Sequence, residues 1–198
     1  TLFRSPSGSG KTTLLKILGL IESVTDGALL YKKDEISKLS DEELARIRRE
    51  ELGFVFQEFY LMDSLDVFEN IMLPFYISKT VDDSKKERAR VLMDKFGIRT
   101  LEKKMPAELS GGMARRAALA RAIALDPAMI MYDEPFSGLD PISLGTAARL
   151  IRQLNDVMGL TSIVVSHDLD ETFQIADQVV VLANGKIAAQ GKIGRAHV

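Results

Sequence analysis

The chain has 198 residues, of which 46% are hydrophobic and 27% charged, and its net charge is −2. These values are typical of one globular domain or of a domain with a subdomain. The near-neutral charge gives no indication of a nucleic-acid surface, and the absence of cysteine excludes disulfides and thiol chemistry. No stretch approaches the roughly 20 uncharged apolar residues that span a bilayer, so any membrane role is expected to depend on a partner.

The first part of the chain alternates helices and short strands. A short buried helix is predicted over residues 11–20, a strand over 28–31 and a capped helix over 40–52. Residues 54–56 then form a predicted strand that ends at Gln57. This alternation favours an α/β fold.

The middle of the chain is predicted to be helical. Apolar periodicity indicates helices over residues 67–73 and 84–96, and Pro74 is expected to break the first of them. We interpret this region as a helical subdomain that is inserted into a sheet domain. The predicted division assigns the subdomain to residues 58–117 and the sheet domain to residues 6–57 and 118–191.

The last part of the chain again alternates strands with helices. Helices are predicted over residues 111–125, 142–158 and 169–176, strands over 129–132 and 161–165, and a hairpin over 179–189. This pattern implies a mostly parallel sheet with helices on both faces.

A Gly-rich segment precedes the first predicted helix. Consecutive N–H groups at a helix N-terminus form an anion site, Lys11 can reach the β- and γ-phosphates, and the Thr12 hydroxyl can bind Mg²⁺. The full G-x-x-x-x-G-K-[ST] pattern begins with Gly, whereas Ser5 stands here. A flexible linker in front of a helix is the alternative. The candidate nucleotide-binding residues are Ser7, Gly8, Ser9, Gly10, Lys11, Thr12 and Thr13.

Polar side chains stand at the ends of three predicted strands. Asp133 follows an apolar strand, where P-loop NTPases hold Mg²⁺, and Glu134 is placed to polarise the attacking water as a general base. Gln57 can contact Mg²⁺ or that water, and His167 can contact the γ-phosphate and orient Glu134. An acidic turn and a structural histidine are the alternatives. The candidate catalytic residues are Glu134, His167 and Gln57; the candidate metal ligands are Thr12, Gln57 and Asp133.

A second Gly-rich run opens a later helix. Ser110, Gly111 and Gly112 supply free N–H groups and a hydroxyl that suit a γ-phosphate. A serine N-cap followed by flexible glycines is the alternative. The residues from Ser137 to Asp140 are well explained as a simple turn, without a functional role.

The order of these motifs resembles that of the ATP-binding-cassette (ABC) ATPases over residues 6–191. The phosphate loop, Q-loop, signature, acidic strand end, D-loop and H-loop of that family correspond to Lys11, Gln57, Ser110, Asp133-Glu134, Asp140 and His167. The resemblance implies a P-loop NTPase (RecA-like) fold, ATP and Mg²⁺ as cofactors, and ATP hydrolysis. It also implies that two subunits sandwich two ATPs, each between the phosphate loop of one and the signature of the other.

Further expectations about partners follow from the same resemblance. It implies a second ATPase subunit in a homodimer, with Asp140 communicating across it, and a transmembrane permease that the ATPase energises. Residues 58–63 are the expected permease contact, with subdomain core as the alternative. The resemblance further implies a cytoplasmic protein, peripheral on the inner face of the plasma membrane, with no nucleic-acid partner and no direct membrane insertion.

Several features depart from the family pattern. Met113 stands where Gln is common, and the region before the phosphate loop, which normally supplies strands and an adenine-stacking aromatic, is expected to be missing. The second half resembles the ATPases of Mla-type phospholipid transporters, whereas the first half resembles those of lipoprotein-releasing and antimicrobial-peptide exporters. We hypothesise a join of two related genes near residues 97–108, and lipid or lipoprotein transport as the function.

The two ends of the chain look foreign to the rest. Residues 1–5 and 193–198 can be read from codons that resemble sequencing-adapter DNA, and we hypothesise that both are non-native. Ordinary polar termini are the alternative. A truncated ABC ATPase without a competent ATP site is accordingly a rival interpretation. Two other rivals are a soluble ABC ATPase that acts on ribosomes or DNA, which the charge does not favour, and a kinase-like P-loop enzyme, which would not need Ser110.

Overall fold

The computed structural model describes the backbone of residues 2–4 and the chain from residue 10 to residue 193. The strands are β1 Leu2–Arg4, β2 Leu30–Tyr31, β3 Asp34–Glu35, β4 Leu52–Val55, β5 Met129–Asp133, β6 Thr161–Val165, β7 Gln178–Ala183 and β8 Lys186–Lys192. The helices are α1 Lys11–Leu18, α2 Asp41–Glu50, α3 Val67–Ile77, α4 Asp83–Lys95, α5 Gly111–Ala122, α6 Pro141–Met158 and α7 Leu169–Ile175.

A mostly parallel sheet organises the molecule. Its six strands lie in the order β4-β5-β6-β1-β7-β8, the first five are parallel, and β8 pairs antiparallel with β7. Strands β2 and β3 form a separate two-stranded ribbon. Because the large sheet is parallel, the carboxyl ends of β4, β5 and β6 meet at one edge, where ligands bind in open α/β sheets.

Helices cover both faces of this sheet, as predicted. Along β5, Met131 packs in a cluster with Leu15 of α1 and Ile47 of α2. Its neighbours Ile130 and Tyr132 belong to the opposite cluster, which includes residues of α3, α4, α5 and α6. A strand that is buried on both faces reads as a continuous apolar run, which explains the sequence pattern. The predicted α/β class is confirmed.

The strand before α1 corrects an expectation. Residues 1–5 were left out of the predicted fold, and the strand before the phosphate loop was expected to be missing. Leu2–Arg4 nevertheless forms β1, in the slot between β6 and β7. In this slot Leu2 aligns with Val164 on one side and Val179 on the other. Two flanking parallel strands offer hydrogen-bond partners on both sides, which stabilises even a three-residue strand.

Helix α3 continues through Pro74, contrary to prediction. Proline removes one backbone donor and normally breaks a helix. Here Ile71 and Phe75, on either side of Pro74, are buried in the same cluster, so tertiary packing holds both turns. Asp66 also caps the helix in a reciprocal capping box with Glu69.

The predicted subdomain contains α3 and α4, which pack on α5. Helix α5 runs without interruption from Gly111 to Ala122, across the predicted boundary at residue 117. The domain boundaries therefore stay a prediction. Among the described helices, none is both long and apolar enough to cross a bilayer.

Candidate functional site

The polar edge of the sheet brings together several of the predicted site residues. Asp133 is the last residue of β5, whereas Gln57 and His167 each lie two residues beyond the ends of β4 and β6. Helix α1 packs on β5 and β6 and begins at the same edge. The parallel topology thus places four chain segments around one crevice.

The N-terminus of α1 forms one end of this crevice. Gly10, its N-cap, has a φ of +89°, a left-handed conformation that glycine adopts without steric cost. Lys11 is buried, and Thr12 and Thr13 are exposed on the first turn. The Thr12 hydroxyl donates a 3.3 Å hydrogen bond to Oδ1 of Asp133. Ser7, Gly8 and Ser9 lie outside the described residues.

Asp133 occupies a partly desolvated position. Burial raises the pKa of its carboxyl group above the usual range, while the hydrogen bond from Thr12 and the positive charges of Lys16 and Lys11 act in the opposite direction. A half-buried carboxylate beside a hydroxyl is suited to a bound cation, and the positive charges of Lys16 and Lys11 are suited to phosphate.

Glu134 and His167 form a close pair. The Nδ1 atom of His167 lies 2.8 Å from Oε2 of Glu134, and the backbone N–H of His167 donates to the same oxygen at 3.3 Å. Glu134 has a φ of +48° and donates its own N–H to the Val165 carbonyl at 2.8 Å. A left-handed backbone at a residue with a side chain is strained, and such strain is common at functional sites. The geometry fixes one carboxylate oxygen at the edge of the crevice.

Gln57 is linked to the same region through a residue that the motifs did not single out. Its Nε2 donates a 3.3 Å hydrogen bond to Oγ of Ser137, and the Ser137 N–H donates to the Glu134 carbonyl at 3.2 Å. Ser137 was explained as part of a turn. Its position three residues after Glu134 was the one signal in the sequence that could have suggested proximity to the site.

The signature residues form the N-terminal end of α5. Ser110 is the N-cap of α5, and its Oγ accepts a 3.4 Å hydrogen bond from the Met113 N–H. Gly111 and Gly112 are exposed, and a Cβ on either would meet no atom of the described residues within 4 Å. Within the described part of the chain, no hydrogen bond joins Ser110 to Thr12, Asp133 or Glu134. Among the described residues, the signature is therefore an exposed helix N-terminus.

Asp140 begins α6 as its N-cap. One carboxylate oxygen accepts hydrogen bonds from the N–H groups of Ile142 at 3.0 Å and Ser143 at 3.1 Å. Hydrogen bonding to Ser143 lowers the pKa of this carboxyl group. These contacts account for Asp140 as a cap, and its role across a dimer stays a prediction.

Comparisons with known proteins show what the chain is similar to. The family model described as ABC transporter matches residues 3–137. The chain is 44% identical over 192 residues, 96% of its length, to the intermembrane phospholipid transport system ATP-binding protein MlaF of Haemophilus influenzae, of which it covers 72%. It is 37% identical over 188 residues to the methionine import ATP-binding protein MetN of the same organism, covering 95% of this chain and 54% of MetN.

Solved structures show the same fold. The dimeric structure of the bacterial ABC transporter cassette MJ0796 superposes with a TM-score of 0.87 and 31% identity, over 98% of this chain and 85% of that one. A second dimeric structure of MJ0796, in a post-hydrolysis state with ADP and Pi bound, matches with the same score, identity and coverage.

Proposed function

Because the chain belongs to the ABC transporter family, as the ATPase subunit of a transporter, we propose that it energises phospholipid transport through a membrane permease. The similarity to MlaF along nearly the whole chain carries this proposal. The chain is an ATPase that binds ATP and ADP. We assign the protein to the inner face of the plasma membrane, where the permease would hold it.

We propose that the α1 end of the crevice binds the nucleotide phosphates and Mg²⁺. Lys11 and the first N–H groups of α1 would hold the phosphates. The Thr12 hydroxyl, Asp133 and Gln57 supply oxygen ligands, which fit Mg²⁺, because this ion uses one or two carboxylates together with phosphate oxygens and water. The described residues hold no cluster of three or more His, Cys, Asp or Glu side chains, so the donor set does not suit a metal caged by protein alone. When bound, Mg²⁺ would offset the negative charge of the phosphates.

Glu134 would act as the general base on the attacking water. Its carboxylate is oriented by His167, whose ring and backbone nitrogens both lie within hydrogen-bond distance of Oε2. Holding the base in place before the reaction reduces the reorganisation that hydrolysis requires. Gln57, bound to Ser137, would position the water from the other side.

The exposed signature points to a second copy of the chain. Ser110, Gly111 and Gly112 would contact the ATP that is held by Lys11 of the partner, because helix N-terminal N–H groups suit phosphate and this site is open. The dimer of the related cassette MJ0796 supports this arrangement. Asp140, at the start of α6, would lie near the dimer interface.

The substitution Glu134→Gln tests the ATPase assignment. It removes the base but keeps the size of the side chain, so we expect hydrolysis to fall by roughly 10³-fold or more while Mg²⁺-ATP still binds with micromolar affinity. Trapped ATP should then favour a dimer in analytical ultracentrifugation. A Glu134→Gln chain that still hydrolyses ATP at the wild-type rate contradicts this role. Failure of the wild-type chain to bind ATP supports the rival interpretation of a fragment without a competent site.

We propose that the permease docks on an apolar surface beside Gln57. Tyr60 is 62% exposed and Met62 49%, within the predicted contact segment, and Ile77 of α3 is 61% exposed. Ile77 lines a groove of about 360 Å³ together with Phe56, whose ring lies 5.3 Å from that of Tyr60. Exposed apolar residues that are grouped around a groove are typical of a protein contact.

Ile77→Asp tests this docking surface. A charge in the apolar contact should reduce transport by the assembled transporter at least about tenfold, since burying an unpaired carboxylate is costly, and leave the ATPase activity of the isolated chain unchanged. Val157→Asp is the matched control, because Val157 is 72% exposed on α6. Equal transport by the two variants would contradict docking at Ile77.

Replacement experiments distinguish the substrate classes. If the chain serves phospholipid transport, it should restore the movement of labelled phospholipid in cells that lack MlaF. Restoration of methionine import in cells that lack MetN, without restoration of phospholipid movement, would overturn the lipid assignment.

A further inference from the structure

The segment that follows Gln57 has a strained backbone. Phe59 has a φ of +58° and Tyr60 a φ of +42°, both in the left-handed region that residues with side chains seldom adopt. Consecutive residues of this kind persist where surrounding groups enforce the conformation. We call residues 57–62 the Gln57 segment.

One arginine of α5 holds this segment by its backbone. Nη2 of Arg121 donates a hydrogen bond to the Phe59 carbonyl at 2.6 Å, and Nη1 donates to the Tyr60 carbonyl at 2.7 Å. The planar guanidinium presents two donors in a fixed fork, and hydrogen bonds from a charged donor are the stronger ones. Arg121 thus contacts both residues that have a left-handed backbone.

Two further contacts fix the segment from other directions. The guanidinium of Arg115, one turn and a half earlier in α5, lies 5.2 Å from the centre of the Phe59 ring. On α3, the buried Asn70 accepts a 2.8 Å hydrogen bond from the Met62 N–H and donates to the Met62 carbonyl at 3.1 Å. The segment is therefore attached to α5 and α3 at once.

Helix α5 begins at the signature. Ser110 is its N-cap, and Arg121 lies ten residues after Gly111, roughly 15 Å along the helix axis. A movement of the open signature end can therefore be carried by a continuous helix to the carbonyls of Phe59 and Tyr60. The link joins Gln57, in one nucleotide site, to Ser110, which faces the other.

We propose that Arg121 is a positioning residue that makes the Gln57 segment move with the signature of the same chain. The two nucleotide sites of a dimer would then be coupled through α5. The docking surface at Tyr60 would move in response to either site. This inference rests on the proposed function, because it assumes that Gln57 and Ser110 contact nucleotides in different sites.

Hydrogen–deuterium exchange of the Gln57 segment tests whether the hydrogen bonds from Arg121 restrain its backbone. Arg121→Gln should accelerate exchange of these amides at least about tenfold without nucleotide, since it replaces a charged fork by a neutral amide. Arg121→Lys should give an intermediate rate, because one ammonium group does not reproduce the fork. Arg116→Gln is the matched control, as Arg116 is exposed on the same helix, and it should leave the segment unchanged.

Coupling is tested by adding ATP to the Glu134→Gln chain. We expect ATP to protect residues 109–113 and the Gln57 segment together, and to protect only residues 109–113 once Arg121→Gln is added. In the chain with native Glu134, Arg121→Gln should lower kcat about tenfold with the KM for ATP unchanged, because Lys11 and Thr12 are untouched. If Arg121 only supports the fold, ATP should still protect residues 109–113 and the Gln57 segment together after Arg121→Gln is added. The kcat should then not fall while the KM for ATP stays unchanged.

Three outcomes separate the proposals. The inference is overturned if the Gln57 segment of the Arg121→Gln chain exchanges at the wild-type rate. It is also overturned if ATP still protects residues 109–113 and the Gln57 segment together after Arg121→Gln is added to the Glu134→Gln chain. If ATP protects no segment of the Glu134→Gln chain, the proposed function fails. The exchange rates of the wild type and of Arg121→Gln without nucleotide still show whether Arg121 restrains the Gln57 segment. If Arg121→Gln does not fold, Arg115→Met replaces it: this variant removes a buried guanidinium whose Nε has no hydrogen-bond partner among the described residues, and it should accelerate exchange in the same segment about threefold.

Discussion

At the scale of single residues, the site depends on a few polar groups held in unfavourable surroundings. Asp133 is partly desolvated, and Glu134 has a left-handed backbone. Both features cost stability in the free chain, and such costs are typical of positions where ligand chemistry requires them. Functional residues of this kind can be recognised by the stability that is gained when they are replaced.

Asp133→Asn should stabilise the nucleotide-free chain at neutral pH. Burial raises the pKa of Asp133 in the folded state, so the folded chain binds the proton more tightly than the unfolded chain. The wild type therefore loses stability as the pH rises through this pKa, whereas the amide does not ionise. We expect the Tm of the variant to exceed that of the wild type by roughly 1–3 °C at pH 7.

The pH dependence checks the cause of this gain. The difference in Tm should vanish below the ordinary aspartate pKa of about 3.9, where the carboxyl group is neutral in both states. Asp63→Asn, at an exposed position, is the control and should show no gain. A variant that is less stable than the wild type at pH 7 would show that attraction to Lys16 and Lys11 outweighs desolvation.

At the scale of elements, the edge strand β4 packs closely on the end of α5. A Cβ on Gly53 would lie 2.6 Å from the Ala122 carbonyl oxygen and 3.3 Å from Cγ of Pro127. The first of these atoms is backbone, so it moves only if the helix moves. This contact sets the distance between α5 and the strand that leads to Gln57.

Gly53→Ala should therefore destabilise the chain by about 1–3 kcal/mol, as overpacking in a core does. Gly145→Ala is the matched control within α6: its Cβ would lie 3.6 Å from Nη1 of Arg149, an ordinary contact, and alanine favours the helix by up to about 1 kcal/mol. Urea unfolding measures both changes. Equal stability of Gly53→Ala and the wild type would show that α5 is free to shift away from β4.

The elements also show how far sequence patterns reach. The strand Thr161–Val165 was predicted with its observed bounds, because a β-branched run in a parallel sheet has a strong local signal. The predicted break at Pro74 was wrong, since the burial of Ile71 and Phe75 holds α3 together. The location of β1 was also not predictable, because a three-residue strand depends on the two strands that flank it.

At the scale of the whole molecule, the proposed ATP sites need two chains. Lys11 lies in one crevice, and among the described residues no hydrogen bond joins Ser110 of the signature to Thr12, Asp133 or Glu134 of that crevice. Two defective chains should accordingly complement each other if each provides what the other lacks. Closed two-fold symmetry makes both sites of a homodimer equivalent.

A mixture of Lys11→Ala and Gly112→Asp chains tests this arrangement. Each variant alone should be inactive, whereas a mixed dimer retains one intact site, formed by Lys11 of one chain and the signature of the other. Random pairing makes about half of the dimers mixed, so about a quarter of the wild-type ATPase activity should appear if the sites act independently. Gly112→Asp should fold normally, since a Cβ there would meet no atom of the described residues within 4 Å and an acidic residue suits the first helical turn.

The mixture is compared with the sum of the two separate variants. Activity that does not exceed this sum, although ATP still binds to the Gly112→Asp chain, would refute a site built from two chains. Each variant alone, at the total protein concentration of the mixture, is the matched control for concentration.

The sequence by itself determined the chemistry of this protein. An anion-binding helix start, an acidic strand end and a second Gly-rich helix start depend on local residue types, and their order identified the family, which the comparisons confirm. The tertiary structure decided which of these groups meet. The bond from Thr12 to Asp133 spans 121 positions, and the contacts of Gln57 with Ser137 and of Arg121 with Phe59 are also long-range. Such contacts follow from strand order and helix packing, which no local pattern encodes.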